Sequence, residues 1–329
     1  MIRIGTVGTS NITQKFLSAA AQSKRFCYDA AYSRNLEKAT EFGQKFGAKK
    51  YYCSLKEMAE DKDLDAVYIA SPNFLHFEQT MLFLKAGKHV LCEKSLASNS
   101  REAEQMMECA KEHNVVLLEA IRPVFDPGYA AIESNISKLG KIRQVRLVFG
   151  RYSSKYDDFL EGKEPNIFNP NCSAGALMDM GVYCVHPLIG LFGFPEKLQS
   201  ACVKLPNGID GNGLILGTYP EMIAELSYSK ISDSQLYNEI QGELGAMTIA
   251  DLSSPEDIKI SYKNGNEEVL EVPVCDNNMV YEAIAFADAI ENQKDITKYH
   301  EMSLLAMKLM DEIRKQQGIV FPADMSVEP

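Results

Sequence analysis

The first third of the chain alternates short apolar runs with longer amphipathic segments, and this alternation restricts the fold more than any other feature. β-rich or apolar runs fall at Ile2–Gly8, Cys27–Ser33, Lys49–Tyr52, Leu64–Ala70, His89–Cys92 and Val115–Leu118. Helical spacing follows the first run (Phe16, Leu17, Ala20), the second (Asn35–Phe46), the fourth (to Lys85) and the fifth (Arg101–Lys111). Each helix carries the chain back so that the next strand starts from the same edge, so strands alternating with helices build a parallel, doubly wound sheet. The fold class is therefore α/β, with an N-terminal doubly wound domain of the Rossmann type.

From about Lys141 the pattern changes. Strands are expected at residues 142–149, 199–205, 213–218, 223–228, 235–241, 246–250, 258–262 and 267–272. Asn207-Gly208 and Asn264-Gly265 stand between apolar runs, a strong hairpin signal. The second domain reads as α+β: a large, mostly antiparallel open sheet with a helix around Leu177–Phe192 packed on it. Two C-terminal helices, Met279–Glu291 and Glu301–Gln317, carry apolar residues at helical spacing and are expected to return to the first domain. The domains are thus 1–122, binding a dinucleotide, and 123–329, serving substrate binding and oligomerisation.

Composition excludes several functions. A formal net charge of -11 opposes a nucleic-acid surface. Met1–Val7 reads as a strand rather than a secretion signal, and no apolar run is expected to cross a membrane, which takes about 20 residues. The eight cysteines form no CxxC pair, so a reducing cytoplasm is expected. The five histidines lie far apart, and no metal site is expected.

In open α/β sheets ligands bind beyond the carboxyl ends of the strands. Gly8 ends the first strand, and Thr9, Ser10, Asn11 and Ile12 lead into a helix that Ser10 or Asn11 is expected to cap. A glycine turn opening onto a helix N-terminus suits a pyrophosphate, although Ser10 and Thr13 replace the later glycines of GxGxxG. The second strand ends in Ser33-Arg34-Asn35 where an NAD site carries a carboxylate. A hydroxyl and a guanidinium suit a 2′-phosphate, so NADP is favoured, with NAD possible. Ser71, Pro72, Asn73 and His76 follow the Leu64–Ala70 strand. The His89–Cys92 strand delivers Glu93 and Lys94, and a lysine leaving a buried strand needs a partner. Arg122 follows the last strand, where it suits a polyhydroxylated or anionic substrate.

These features together resemble the Gfo/Idh/MocA oxidoreductases, the family of glucose–fructose oxidoreductase and inositol dehydrogenase. Gly8, Ser71-Pro-Asn73 with His76, Glu93-Lys94 and the stretch Ala174–Tyr183 carry the match. Leu118–Ile121 and Gly181–Val185 are similar to segments of the dimeric dihydrodiol dehydrogenase and NADP-dependent xylose dehydrogenase branch. The resemblance implies that Lys94 lies beside the nicotinamide and bonds the reacting oxygen, and that Asp179 and Tyr183 complete the catalytic group. It also implies a homodimer or higher homo-oligomer joined through the C-terminal sheet. Three departures stand out. The family's Glu-Lys-Pro is Glu93-Lys94-Ser95, which makes a less rigid turn. His186 replaces an aspartate of many relatives, and Ile167-Phe168-Asn169 replaces an arginine element. His186 and Phe168 join Arg122 as expected substrate contacts.

The expected activity is hydride transfer between the nicotinamide and a carbinol or carbonyl carbon of an aldose, cyclitol or trans-dihydrodiol. Two alternatives stand beside it. A nucleotide-binding sensor would need only the first domain. An enzyme that retains its cofactor through redox-neutral chemistry would keep the whole catalytic group.

Overall fold

The computed structural model describes residues 1–325. The chain divides into two compact units: Met1–Ile121 with Asn277–Leu304, and Arg122–Asp276 with the chain from Leu305.

The first unit alternates as its sequence requires: β1 (Ile2–Val7), α1 (Asn11–Ser23), β2 (Phe26–Tyr32), α2 (Leu36–Phe46), β3 (Lys50–Tyr52), α3 (Leu55–Ala59), β4 (Ala66–Ile69), α4 (His76–Lys85), β5 (His89–Glu93), α5 (Ser100–Glu112) and β6 (Leu117–Ala120). The strands form one parallel sheet in the order β3-β2-β1-β4-β5-β6. Every residue of β4 is buried, which is why Ala66–Ile69 reads as an unbroken apolar run and not an alternating one. Strand order reverses direction between β1 and β4, so a crevice opens there beyond the strands' carboxyl ends.

The second unit contains α6 (Pro127–Asn135), β7 (Ile142–Gly150), α7 (Tyr156–Leu160), α8 (Val182–Phe192) and β8 to β14 (Lys197–Lys204, Asp210–Thr218, Ile223–Ser229, Asn238–Gly242, Gly245–Ile249, Ile258–Tyr262, Glu267–Leu270). These strands form a sheet of eight in the order β14-β13-β12-β11-β7-β10-β9-β8. All pairs are antiparallel except β7 with β10. Ala224, Leu226 and Tyr228 of β10 are buried on the side of α8, whereas Leu214 and Leu216 of β9 are 48% and 37% exposed on the other. The sheet therefore keeps one open face, as its alternation implies.

The remaining helices are α9 (Met279–Glu291), α10 (Thr297–Gln317) and α11 (Pro322–Met325). Helix α9 belongs to the first unit, where Phe286 stacks on Phe26 and Asp288 and Glu291 hold Arg25.

Three local features differ from the sequence reading. Helix α6, which the sequence reading left out, is fixed at its start: Asp126 accepts from the Gly128 amide at 2.9 Å and Pro127 takes the first helical position. The expected Leu177–Phe192 helix begins as a π-helical turn, Leu177–Gly181, before α8 starts. Finally, Pro170–Phe192 is long and apolar enough to span a membrane by composition, but 67% of its most apolar window is buried within the protein's interior, which accounts for its character.

Candidate functional site

In the first unit, four strand ends hold the residues singled out in the sequence. Gly8 adopts φ +119°, and a Cβ there would lie 2.9 Å from the Ala70 carbonyl oxygen, so both backbone shape and space demand glycine. Helix α1 starts two residues after Thr9. The expected side-chain cap is absent: Ser10 makes no cap bond and instead lies 3.3 Å from the Thr13 hydroxyl. The first-turn amides, beginning at Asn11 and Ile12, are thus left to other acceptors, which suits an anion at this end of the helix.

At the end of β2, Ser33 accepts from the Asn35 amide at 3.4 Å, Asn35 caps α2 through Lys38, and Arg34 is exposed. No carboxylate stands among these three residues. After β4, the Ser71 hydroxyl donates to Gln79 at 2.7 Å, Pro72 precedes a 3₁₀ turn at Asn73–Leu75, and α4 begins at His76. His76 is fully buried. Its Nδ1 lies 2.9 Å from the Ser95 carbonyl and its Nε2 2.8 Å from the Ser71 carbonyl. Burial lowers its pKa, against the pull of the two carbonyls. The ring is thus a clasp between two loops at the crevice.

Lys94 follows directly on β5, and the Lys94–Ser95 peptide is cis. The Glu93 carboxylate is buried, accepting from the Tyr68 hydroxyl and, at 3.2 Å, from the Lys94 amide. Tyr68 is itself fully buried, its ring stacked 3.8 Å from Phe16, and burial followed by the Glu93 charge pushes its phenol well above the ordinary range.

The less rigid turn expected from Ser95 is not what the structure shows. His76 holds the Ser95 carbonyl, Glu119 accepts from the Leu96 amide at 3.0 Å, and Glu102 accepts from the Ser98 amide at 2.9 Å. Three buried side chains from α4, β6 and α5 therefore fix the backbone beyond Lys94, a function that proline would serve by its ring.

In the second unit, Asp210 organises the start of the helical stretch that carries Asp179 and Tyr183. Its carboxylate accepts from the Leu177 amide at 2.6 Å, and a Cβ on Gly175, which has φ +137°, would lie 2.2 Å from the same carboxylate. Burial raises the Asp210 pKa to about 6. Asp179 lies in the π turn and Tyr183 in the first turn of α8, so their four-residue spacing is not purely α-helical. The Asp179 carboxylate pairs with Lys230 at 3.2 Å. The Tyr183 ring packs against Phe149 (centroids 4.6 Å apart), and the Arg122 guanidinium lies 5.9 Å from its centre. Among the described residues, Arg122 Nε has no hydrogen-bond partner.

Two expected substrate contacts are buried in this structure. Phe168 is 1% exposed and packs with Leu205 and Ile209, stacked on Tyr156 and Phe159. His186 has no exposed surface at all. Both are core residues: Phe168 closes an aromatic cluster, and His186 sits on the inward side of an almost wholly apolar helix. The sequence reading also missed Lys230, Tyr68 and Asp210, whose partners are distant in sequence.

A parallel sheet in this strand order, with a glycine turn opening onto a helix N-terminus after β1 and a lysine after β5, is the architecture of a dinucleotide-binding protein of the α/β class. Comparison with known proteins narrows this. Residues 2–120 match the Gfo/Idh/MocA oxidoreductase family with an NAD-binding Rossmann fold, and residues 132–248 match the Gfo/Idh/MocA C-terminal domain. The chain belongs to this family of oxidoreductases.

Among its relatives, scyllo-inositol 2-dehydrogenase (NADP(+)) IolU of Bacillus subtilis is 43% identical over 328 residues, covering 99% of this chain and 100% of that protein. Trans-1,2-dihydrobenzene-1,2-diol dehydrogenase of Mus musculus is 30% identical, with 98% and 99% covered. The structure of KijD10, a 3-ketoreductase from Actinomadura kijaniata in complex with NADP and TDP-benzene, superposes with a TM-score of 0.83 at 24% identity, covering 96% of this chain and 97% of that one. At that identity the likeness establishes the fold.

Proposed function

We propose that the chain is an NADP-dependent dehydrogenase of small polyhydroxylated molecules, with a cyclitol of the inositol type as its first candidate substrate. The observation that carries this reading is end-to-end similarity to an NADP-dependent scyllo-inositol dehydrogenase. The residues present fit the cofactor: Gly8 admits close approach of a ligand, the α1 amides are uncapped, and Ser33-Arg34-Asn35 offers donors without a repelling carboxylate. The bound nicotinamide supplies hydride transfer at its C4 position.

The protein's part is to bind, orient and move a proton. Thr9, Ser10, Asn11 and Ile12 would cradle the pyrophosphate, Ser33 and Arg34 the 2′-phosphate, and Ser71, Pro72, Asn73 and Glu93 the nicotinamide half, with His76 acting through the loops it clasps. Lys94 bonds the reacting oxygen, and Lys94 or Tyr183 takes the hydroxyl proton as the carbinol is oxidised. Asp179 accepts from a neighbouring substrate hydroxyl, and Arg122, close to the Tyr183 ring, contributes a donor.

The open face of the eight-stranded sheet, with Val203, Leu214, Leu216 and Ile223 exposed, favours a homo-oligomer. The eight cysteines, none of which forms a disulfide among the described residues, suit a cytoplasmic location. Light scattering after size exclusion checks the assembly: a monomer refutes it.

The reading is tested by following reduced nicotinamide with inositols, aldoses and trans-dihydrodiols, each with NADP and with NAD. Turnover of an inositol with NADP is expected. Tight NADP binding with silence across the panel refutes the substrate class.

A further inference from the structure

Lys230 follows directly on β10 and is fully buried, an unusual place for an ammonium. Its backbone is pinned on both sides: the Lys230 amide donates to the Gly211 carbonyl and the Lys230 carbonyl accepts from Ser153, both at 2.9 Å. Its side chain reaches inward. The ammonium donates to the Ile167 carbonyl at 2.5 Å, pairs with the Asp179 carboxylate at 3.2 Å, and lies 4.4 Å from the centre of the Phe168 ring. The buried Asp210 carboxylate also feels its charge.

Removing an ammonium from water costs several kcal/mol, so a buried one persists only with good partners. Here those partners come from the Asn166–Phe168 turn and from the π turn that carries Asp179. Asp179 retains 27% of its side-chain exposure while Lys230 has none. The pair is therefore asymmetric. The lysine is fixed inside, and the carboxylate, paired on its inner side, keeps part of its surface exposed.

We infer that Lys230 is a positioning residue for the proposed reaction, fixing the Asp179 carboxylate toward a substrate hydroxyl and anchoring the Asn166–Phe168 turn at the same point. The inference rests on the dehydrogenase reading and deepens it. The lysine holds the acceptor in one orientation, and no proton moves through it. A lysine serving only as an internal staple would stabilise the fold without affecting how substrate is used.

The test is a double-mutant cycle with Asp179→Asn, using scyllo-inositol and NADP. Lys230→Met is expected to lower kcat/KM for scyllo-inositol by about 30-fold or more, while the KM for NADP stays within about twofold. In the Asp179→Asn background the same substitution is expected to cost less than about threefold, because its target is already lost. Equal losses in both backgrounds overturn the inference.

If Lys230→Met does not fold, Lys230→Gln keeps a donor for the Ile167 carbonyl and removes only the charge. A folded Gln variant with unchanged kcat/KM also overturns it. A substrate-free readout separates this inference from the reading beneath it. In protein labelled with ¹⁵N at the lysine side chains, the Lys230 ammonium should give a slowly exchanging signal that moves in Asp179→Asn. Silence of the wild type on every polyol would refute the reading and leave the resonance to decide the inference, and an unmoved resonance would refute the inference.

Discussion

Substituting Asp210 by asparagine should change the pH dependence of stability in a direction and by an amount that the structure specifies. Asp210 is 2% exposed, accepts from the Leu177 amide, and has its pKa raised from 3.8 to about 6. Burial is the largest cause, opposed by backbone hydrogen bonds and the Lys230 charge. In the unfolded chain the carboxyl titrates near its ordinary value, so between about pH 4 and 6 the folded state holds a proton that the unfolded state has lost. Folded protein is then favoured as pH falls. The cost of burying the ionised group is full above about pH 6 and disappears toward pH 4. A shift of roughly two units corresponds to ~3 kcal/mol.

Asparagine cannot titrate, so the difference in stability between variant and wild type must change by about that amount across this window. Scanning calorimetry of both proteins between about pH 4.5 and 7.5 covers about 2 kcal/mol of it and reads a change of roughly 3 °C in their Tm difference, the variant gaining relative to wild type as pH rises. The other titrating groups are shared and cancel. A Tm difference that stays constant with pH would refute the assignment of a raised, burial-driven pKa to Asp210.

Two further outcomes follow from the first unit. Arg34→Ala should raise the KM for NADP by about 10- to 100-fold through loss of a charge-assisted contact to the 2′-phosphate, with NAD use changed less than about twofold; equal losses with both cofactors would show that Arg34 does not read the phosphate. Tyr68→Phe removes the hydroxyl that donates to the buried Glu93 carboxylate and should cost about 2 kcal/mol, visible as a lower Tm; an unchanged Tm would mean that Glu93 is satisfied without it.

Much of the first unit was legible in the sequence because its signals are local. Each strand is a short apolar run, each helix has its own periodicity, and in an alternating chain those two facts dictate a parallel sheet. Gly8, Ser33-Arg34 and Lys94 stood out because strand ends are where such sheets bind ligands. What escaped depends on distant partners. Ser229-Lys230-Ile231 at the end of β10 carries no local sign of burial, yet Lys230 has no exposed surface and meets Ile167 and Asp179. Phe168 and His186 were singled out as departures from the family pattern, whereas their burial is decided by what packs over them, such as Leu205 and Ile209 on Phe168. The parallel pairing of β7 with β10 was equally hidden, since hairpin signals report only sequence neighbours. The fixing of Ser95–Ser98 by His76, Glu119 and Glu102 gathers residues from three elements, and a reading confined to Glu-Lys-Ser sees only a missing proline.

The most direct test of the central claim compares wild type and Lys94→Ala in NADP-dependent oxidation of scyllo-inositol, with NADP affinity measured by titration on the same samples. The account predicts wild-type turnover and a loss of at least about 10²–10⁴-fold in kcat for the variant, the range of a lost acid–base group, with NADP affinity within about tenfold. A Lys94→Ala variant that turns over inositol at the wild-type rate would contradict it.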